Sequence, residues 1–209
     1  LLIIQPDIGQ TLLIGFSWLI LIFISGINLL FLVTISFIGI ALLFYTAFYI
    51  AKFEYIKNRL LSFFDTENGT YNFQSDKALD SITSGGFFGK GIGEGVLKNK
   101  VPEAHTDYII SVISEEFGVI AIILILVLFL VFAYSILKKV SMETDSKTKL
   151  ILVGCVSLIL LQAMIHIGVN IRLFPTTGMT LPFLSYGGSS IVSISILSGI
   201  ILNLTKRRV

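Results

Sequence analysis

"TDYIISVISEEFGVIAIILILVLFLVFAYSIL", residues 106–137, decides the fold class. From Val119 to Leu137 it holds no charged side chain. At about 1.5 Å per residue such a run crosses a hydrocarbon core of about 30 Å as a single helix. Similar apolar runs predict four more spanning helices, at about Ile8 to Ser25, Leu29 to Ala51, Leu150 to Asn170 and Ser189 to Leu204. The third helix is predicted from about Asp107 to Leu137. The class that follows is all-α, a polytopic transmembrane bundle of about five spanning helices with a long extracytoplasmic loop. Composition agrees. Hydrophobic residues make up 55% of the 209 and charged residues 13%, about half the charged share of a soluble domain. Mean hydropathy is +0.92.

Short basic loops fix the orientation. "KKVSMETDSKTK" at 138–149 and the tail with Lys206, Arg207 and Arg208 both read as cytoplasmic, and the two helices between them allow it. The same parity sets residues 52–106 outside, together with a broken segment at 171–188 and the opening "QPD". The chemistry-rich stretches therefore share the outer face. A net charge of +2 is too small to argue for nucleic acid, and one cysteine, Cys155, allows no internal disulfide. No HExxH, CxxC or clustered-histidine pattern points to zinc. The chain opens without methionine and reads as the C-terminal part of something longer.

Three stretches carry candidate chemistry. In "VPEAHTDYIISVISEEFG" (101–118), Thr106 and Asp107 stand where a helix cap belongs. The alternative is a base: a carboxylate partly out of water is held protonated to higher pH and can take a proton. Ser111, Ser114 and Glu115 follow Asp107 at helical spacing and should face the bundle interior; Glu116 points elsewhere, toward another helix or the backbone. In "RLFPTTGMTLPFLSYGGSS" (172–190), two prolines and three glycines break a spanning pattern. Broken backbone at membrane depth needs cover from protein or a water-filled cavity. It is either a re-entrant packing turn or a site wall, with Arg172 for an anion and Ser185 among the hydroxyls. In "QPDIGQT" (5–11), Asp7 reads as a helix cap. Gln162 and His166, one turn apart, read as interhelical hydrogen-bonding groups. "SGGFFGKGIGEG" (84–95) superficially resembles a phosphate loop, but its flanks lack the strand and helix a nucleotide site needs. A tight multi-turn segment on the membrane surface is the reading preferred, with no helix assigned between 52 and 106.

In this order, "QPDIGQT", "FQSDKALDSITSGGFFGKGIGEG", "VPEAHTDYIISVISEEFG" and "FPTTGMTLPFLSYGGSS" resemble the SEDS family (shape, elongation, division and sporulation), over nearly the whole chain and closest to its division branch. The resemblance implies that 1–209 is the C-terminal half of a SEDS-type membrane domain of about ten helices. It implies a peptidoglycan glycosyltransferase that polymerises lipid II at the outer face of the cytoplasmic membrane, at the division septum. It implies a class B penicillin-binding protein transpeptidase and other division proteins as partners. The family's essential aspartate maps to Asp107 and its outer-loop arginine to Arg59. Lys98, Lys100, His105, Thr106, Arg172 and Ser185 complete the expected substrate contacts. Asp107 acts either as the base or as the ligand of a divalent cation, Mg or Mn; no nucleotide is required, because the donor carries its own leaving group. A lipid II flippase lined by Glu116, Gln162, His166 and Asn170, and a non-catalytic septal scaffold, are the competing functions.

Overall fold

The computed structural model describes residues 7–50, 53–64, 73–97 and 101–206. Lys98 and Lys100 lie outside the described residues, as do Arg207 and Arg208 of the basic tail. Among the described residues helices form and no strand does. They are α1 (Ile8–Ile24), α2 (Leu29–Tyr49), α3 (Glu54–Phe64), α4 (Phe73–Gly85), α5 (Ile109–Met142), α6 (Ser146–Asn170) and α7 (Gly188–Thr205). Four of them, α2, α5, α6 and α7, are long and apolar enough to cross a membrane, and α1 is a shorter apolar helix of 17 residues. These five elements correspond to the five apolar runs.

Local chemistry sets the ends. Asp7 caps α1 by accepting the Gln10 amide at 2.9 Å, Asn28 caps α2 through the Leu30 amide, and Asp145 caps α6 through Lys147 and Thr148. The Asp145 cap starts α6 four residues before the apolar run alone suggests. The outer segment is not the helix-free stretch expected. It holds α3 and α4, short helices whose mean polarity hides them from any search for apolar runs.

The bundle is organised around α6, which buries residues on several faces, from Leu152 to Asn170. It packs against α1, α5 and α7, and α4 lies along the outer part of α5. Lys139 Nζ donates to Thr205 O at 3.0 Å, so the 138–149 loop and the end of α7 meet at one pole, as the basic-loop parity requires. The polar stretches gather at the other pole.

The α5 helix is broken. Gly118 has φ 78° and ψ −178°, inside what the sequence suggested was one continuous helix. The glycine-rich loop fills the gap. Lys90 N and Gly91 N donate to Glu115 O and Glu116 O, while Val119 N and Ile120 N donate to Gly86 O and Phe87 O. Four backbone groups released by the break are thus paired, where each would otherwise cost several kcal/mol in an apolar setting. A β-carbon on Gly118 would lie 2.2 Å from Phe87 O, so only glycine fits. Glu115, fully buried, locks the arrangement. Its Oε1 accepts from Lys90 Nζ, Val96 N and Leu97 N at 3.2, 2.9 and 3.0 Å, and Oε2 accepts from Ser81 Oγ at 3.0 Å. Glu116 points away and takes Gly93 N. The motif that resembled a phosphate loop spends its amides on the protein's own carbonyls and carboxylates.

Candidate active site

The stretch before α5 is a compact turn. Glu103 takes a left-handed conformation, φ 55°, and its carbonyl accepts from the amides of Thr106, Asp107 and Tyr108 at 3.1, 3.1 and 3.3 Å. Helix α5 therefore starts at Ile109, with no side-chain cap. Asp107 does not cap it. Among the described residues the Asp107 carboxylate takes no hydrogen bond, and it stands half-buried beside Gly178. A β-carbon there would lie 3.5 Å from Asp107 Oδ2, and Gly178 itself has φ 68°. Burial, assisted by the negative charge of Glu103, holds the Asp107 carboxyl above its ordinary value of 3.8. Tyr108 next door is pushed up to about 12, chiefly by burial, so it stays a neutral phenol at physiological pH.

The broken segment lies around this turn. Tyr186 N donates to His105 O at 3.0 Å, Ser185 Oγ to Thr106 O at 2.6 Å, and Asn170 Nδ2 to Asp107 O at 3.0 Å. The broken segment is in turn fastened to α6. Gln162 Nε2 donates to Thr180 O at 2.9 Å, and His166 Nδ1 lies 2.7 Å from Met179 O, so that nitrogen carries the proton. Gln162 and His166 do serve as polar links, with the broken segment as partner. From α3, Arg59 Nη1 donates to Thr176 O at 3.2 Å, two residues before Gly178.

The expected site residues divide accordingly. Asp107, Arg59 and Ser185 converge on the broken segment. His105 and Thr106 line an adjacent open cleft of about 660 Å³ with Glu103, Glu116 and Tyr186; Thr106 Oγ1 also donates to Glu103 Oε2 at 3.1 Å. Ser185 is buried, and its hydroxyl both donates to Thr106 O and accepts Leu181 N, which directs it to the backbone rather than outward. Arg172, left-handed at φ 57°, is ion-paired with Asp76 of α4, so its guanidinium already serves an acid of this chain. Helical spacing did bury Ser111, Ser114 and Glu115. It could not extend back to Asp107, which precedes the helix. Sequence reasoning missed Glu103, Gly178 and the bond from Asn170; the one available signal was the density of turn-forming residues on both sides.

No group of three or more His, Cys, Asp or Glu suited to a metal occurs among the described residues. Glu103 is the carboxylate whose negative charge reaches Asp107.

A bundle of membrane-length apolar helices that holds, in a pinned turn at one pole, a carboxylate with no hydrogen bond among the described residues defines the class: a multi-pass membrane protein with a polar site at one end of its bundle. The family model described as "Cell cycle protein", which covers FtsW, RodA and SpoVE, matches residues 1–209, and the chain belongs to that family. A probable peptidoglycan glycosyltransferase FtsW of Caulobacter vibrioides is 36% identical over 208 residues, covering 100% of this chain and 52% of that protein. The protein of the same name from Francisella salina is 37% identical over 209 residues, 97% of this chain and 51% of that one. A solved structure described as "Structural coordination of polymerization and crosslinking by a peptidoglycan synthase complex" matches with a TM-score of 0.74 at 26% identity, covering 98% of this chain and 56% of that one. The chain spans about half the length of the curated relatives it matches.

Proposed function

We propose that this chain forms the outer-face active site of a peptidoglycan glycosyltransferase that polymerises lipid II during cell division. The observation that carries this reading is the Asp107 carboxylate: half-buried, without a hydrogen bond among the described residues, and mounted on a turn in which that residue's own amide and carbonyl are both hydrogen-bonded. In the reaction a sugar hydroxyl oxygen attacks an anomeric carbon and the bond from that carbon to the lipid pyrophosphate breaks. Asp107 takes the hydroxyl proton as the new glycosidic bond forms, and returns it to water. Arg59 uses one N–H on Thr176 O, which leaves other donors of its fork for the departing pyrophosphate. Beside Arg59 an apolar groove of about 250 Å³, lined by Leu12, Phe44, Ala47 and Leu60, suits part of a prenyl chain.

The carboxylates present fit a divalent cation only of the kind that keeps most of its waters and shares substrate phosphates, with Asp107 and Glu103 as the residues that would hold it. Such an ion would supply charge stabilisation to the pyrophosphate. The septal membrane as location, a class B penicillin-binding protein as partner and association with other division proteins belong to the same proposal. The flippase alternative is less well supported. Gln162, His166 and Asn170 bond to the broken segment and the Asp107 turn, and Glu116 to the glycine-rich loop, so each of the four is engaged in holding the fold.

The test is polymerisation of purified lipid II by the full-length protein in complex with its transpeptidase, comparing Asp107→Asn with wild type. Loss of glycan strands with the complex intact supports the reading. Near-normal strands would remove Asp107 from the chemistry and favour a scaffold.

A further inference from the structure

Three consecutive carbonyls, those of His105, Thr106 and Asp107, each receive a hydrogen bond from a different residue of the α6 end and the broken segment: Tyr186, Ser185 and Asn170. The three following amides, of Thr106, Asp107 and Tyr108, turn inward onto one carbonyl, Glu103 O. The backbone of the turn is therefore held from both sides. Two of its side chains, His105 and Asp107, are left without a hydrogen bond among the described residues. The donors are themselves fixed. Ser185 is buried and accepts Leu181 N at 2.8 Å, while Asn170, fully buried, also donates to His166 O at 2.9 Å. Any turn pairs its buried carbonyls, but here three consecutive carbonyls are taken by donors from a distant part of the chain, two of them buried side chains. A turn that must present a carboxylate within a few tenths of an ångström of a reacting atom calls for such a hold, because small misplacements cost catalysis heavily.

We infer that Ser185 and Asn170 are positioning residues, which act on the reaction through Asp107 by clamping the backbone of its turn, and that the broken segment is built to carry this clamp. The inference rests on the glycosyltransferase reading above. It gives Ser185 a role different from the substrate contact its sequence position suggested.

The experiment uses the full-length protein in its transpeptidase complex, with lipid II as substrate. Ser185→Ala should lower kcat about 10- to 100-fold while KM stays within about two-fold, and Ser185→Thr, which restores the hydroxyl, should recover most of the loss. Asn170→Leu, close in volume and without the donor, is the second variant and should behave like Ser185→Ala. The double variants decide between positioning and general damage. Added to Asp107→Asn, either substitution should cause no further loss, since both act through the same carboxylate. The clamp is overturned if both single variants keep full kcat, or if they lower the residual activity of Asp107→Asn as much as they lower wild type. Near-wild-type activity of Asp107→Asn overturns the glycosyltransferase reading and the clamp together, whereas an inactive Asp107→Asn beside an unimpaired Ser185→Ala and Asn170→Leu overturns the clamp alone.

Discussion

Asp7 and Asp107 each stand just ahead of an apolar helix at the same pole of the molecule, and in sequence they look like the same device. In the structure they differ. Asp7 accepts the amide of Gln10 and does the work of a cap for α1. Asp107 stands one residue ahead of the cap position, which Tyr108 occupies, its own amide is tied to Glu103 O, and its carboxylate caps nothing among the described residues. The difference comes from the surroundings. Asp7 enters its helix directly, whereas the left-handed Glu103 and the bonds from Tyr186, Ser185 and Asn170 fold residues 103–108 into a turn of their own. An acid at a helix start is a cap only when the chain lets it reach the first free amides.

The largest effect that bears on this contrast is catalytic. Asp107→Asn in the full-length complex should reduce lipid II polymerisation about 100- to 10,000-fold, the range expected for losing a general base. Asp7→Asn, which keeps a capping oxygen, should leave polymerisation unchanged in the same gel assay; an equal loss in both would erase the distinction. Next comes Glu115, a fully buried acid of the same pole. Glu115→Ala strips the buried acceptor from an exposed lysine, two amides and a buried hydroxyl, and should destabilise the fold by about 3 kcal/mol, read as a lowered unfolding temperature of the purified protein. Asp7→Ala should cost about 1 kcal/mol, the usual worth of a cap, by the same measurement.

The smallest effect concerns pH. Because burial raises the Asp107 pKa, the acid limb of the polymerisation rate should fall above pH 3.8, with activity lost as the carboxylate protonates. For stability the sign is opposite to that of a salt-bridged acid. The folded state binds the proton more tightly than the unfolded chain, so stability declines as pH rises from the unfolded value through the raised one. At neutral pH Asp107→Asn should therefore unfold no earlier than wild type. A clearly lowered unfolding temperature there would reinstate Asp107 as a structural group.

The apolar runs were legible because membrane helices advertise themselves residue by residue, and Asp7 was legible as a cap because its partner lies three residues away. Helices α3 and α4 were not, since short helices of mixed polarity carry no sustained apolar signal. Gly118 was not either. "EEFGV" is compatible with continuous helix, and the break depends on carbonyls and amides supplied by residues 86–91 from an earlier part of the chain. Ser185 and Arg172 were noticed as polar groups near a site. Which way each one points depends on Thr106 and on Asp76, far away in sequence.

The bond from Lys139 to Thr205 at one pole and from Tyr186 to His105 at the other tie α5 and α7 to the same two levels. Helix α7 covers the interval with 18 residues, about 27 Å, while α5 has 34, about 51 Å if it were straight. Both can join those levels only if α5 runs obliquely or bends, and Gly118 is where its course changes. The shorter helix then acts as the ruler. It sets the Asp107 turn close to one hydrocarbon thickness, about 30 Å, from the lysine-rich pole.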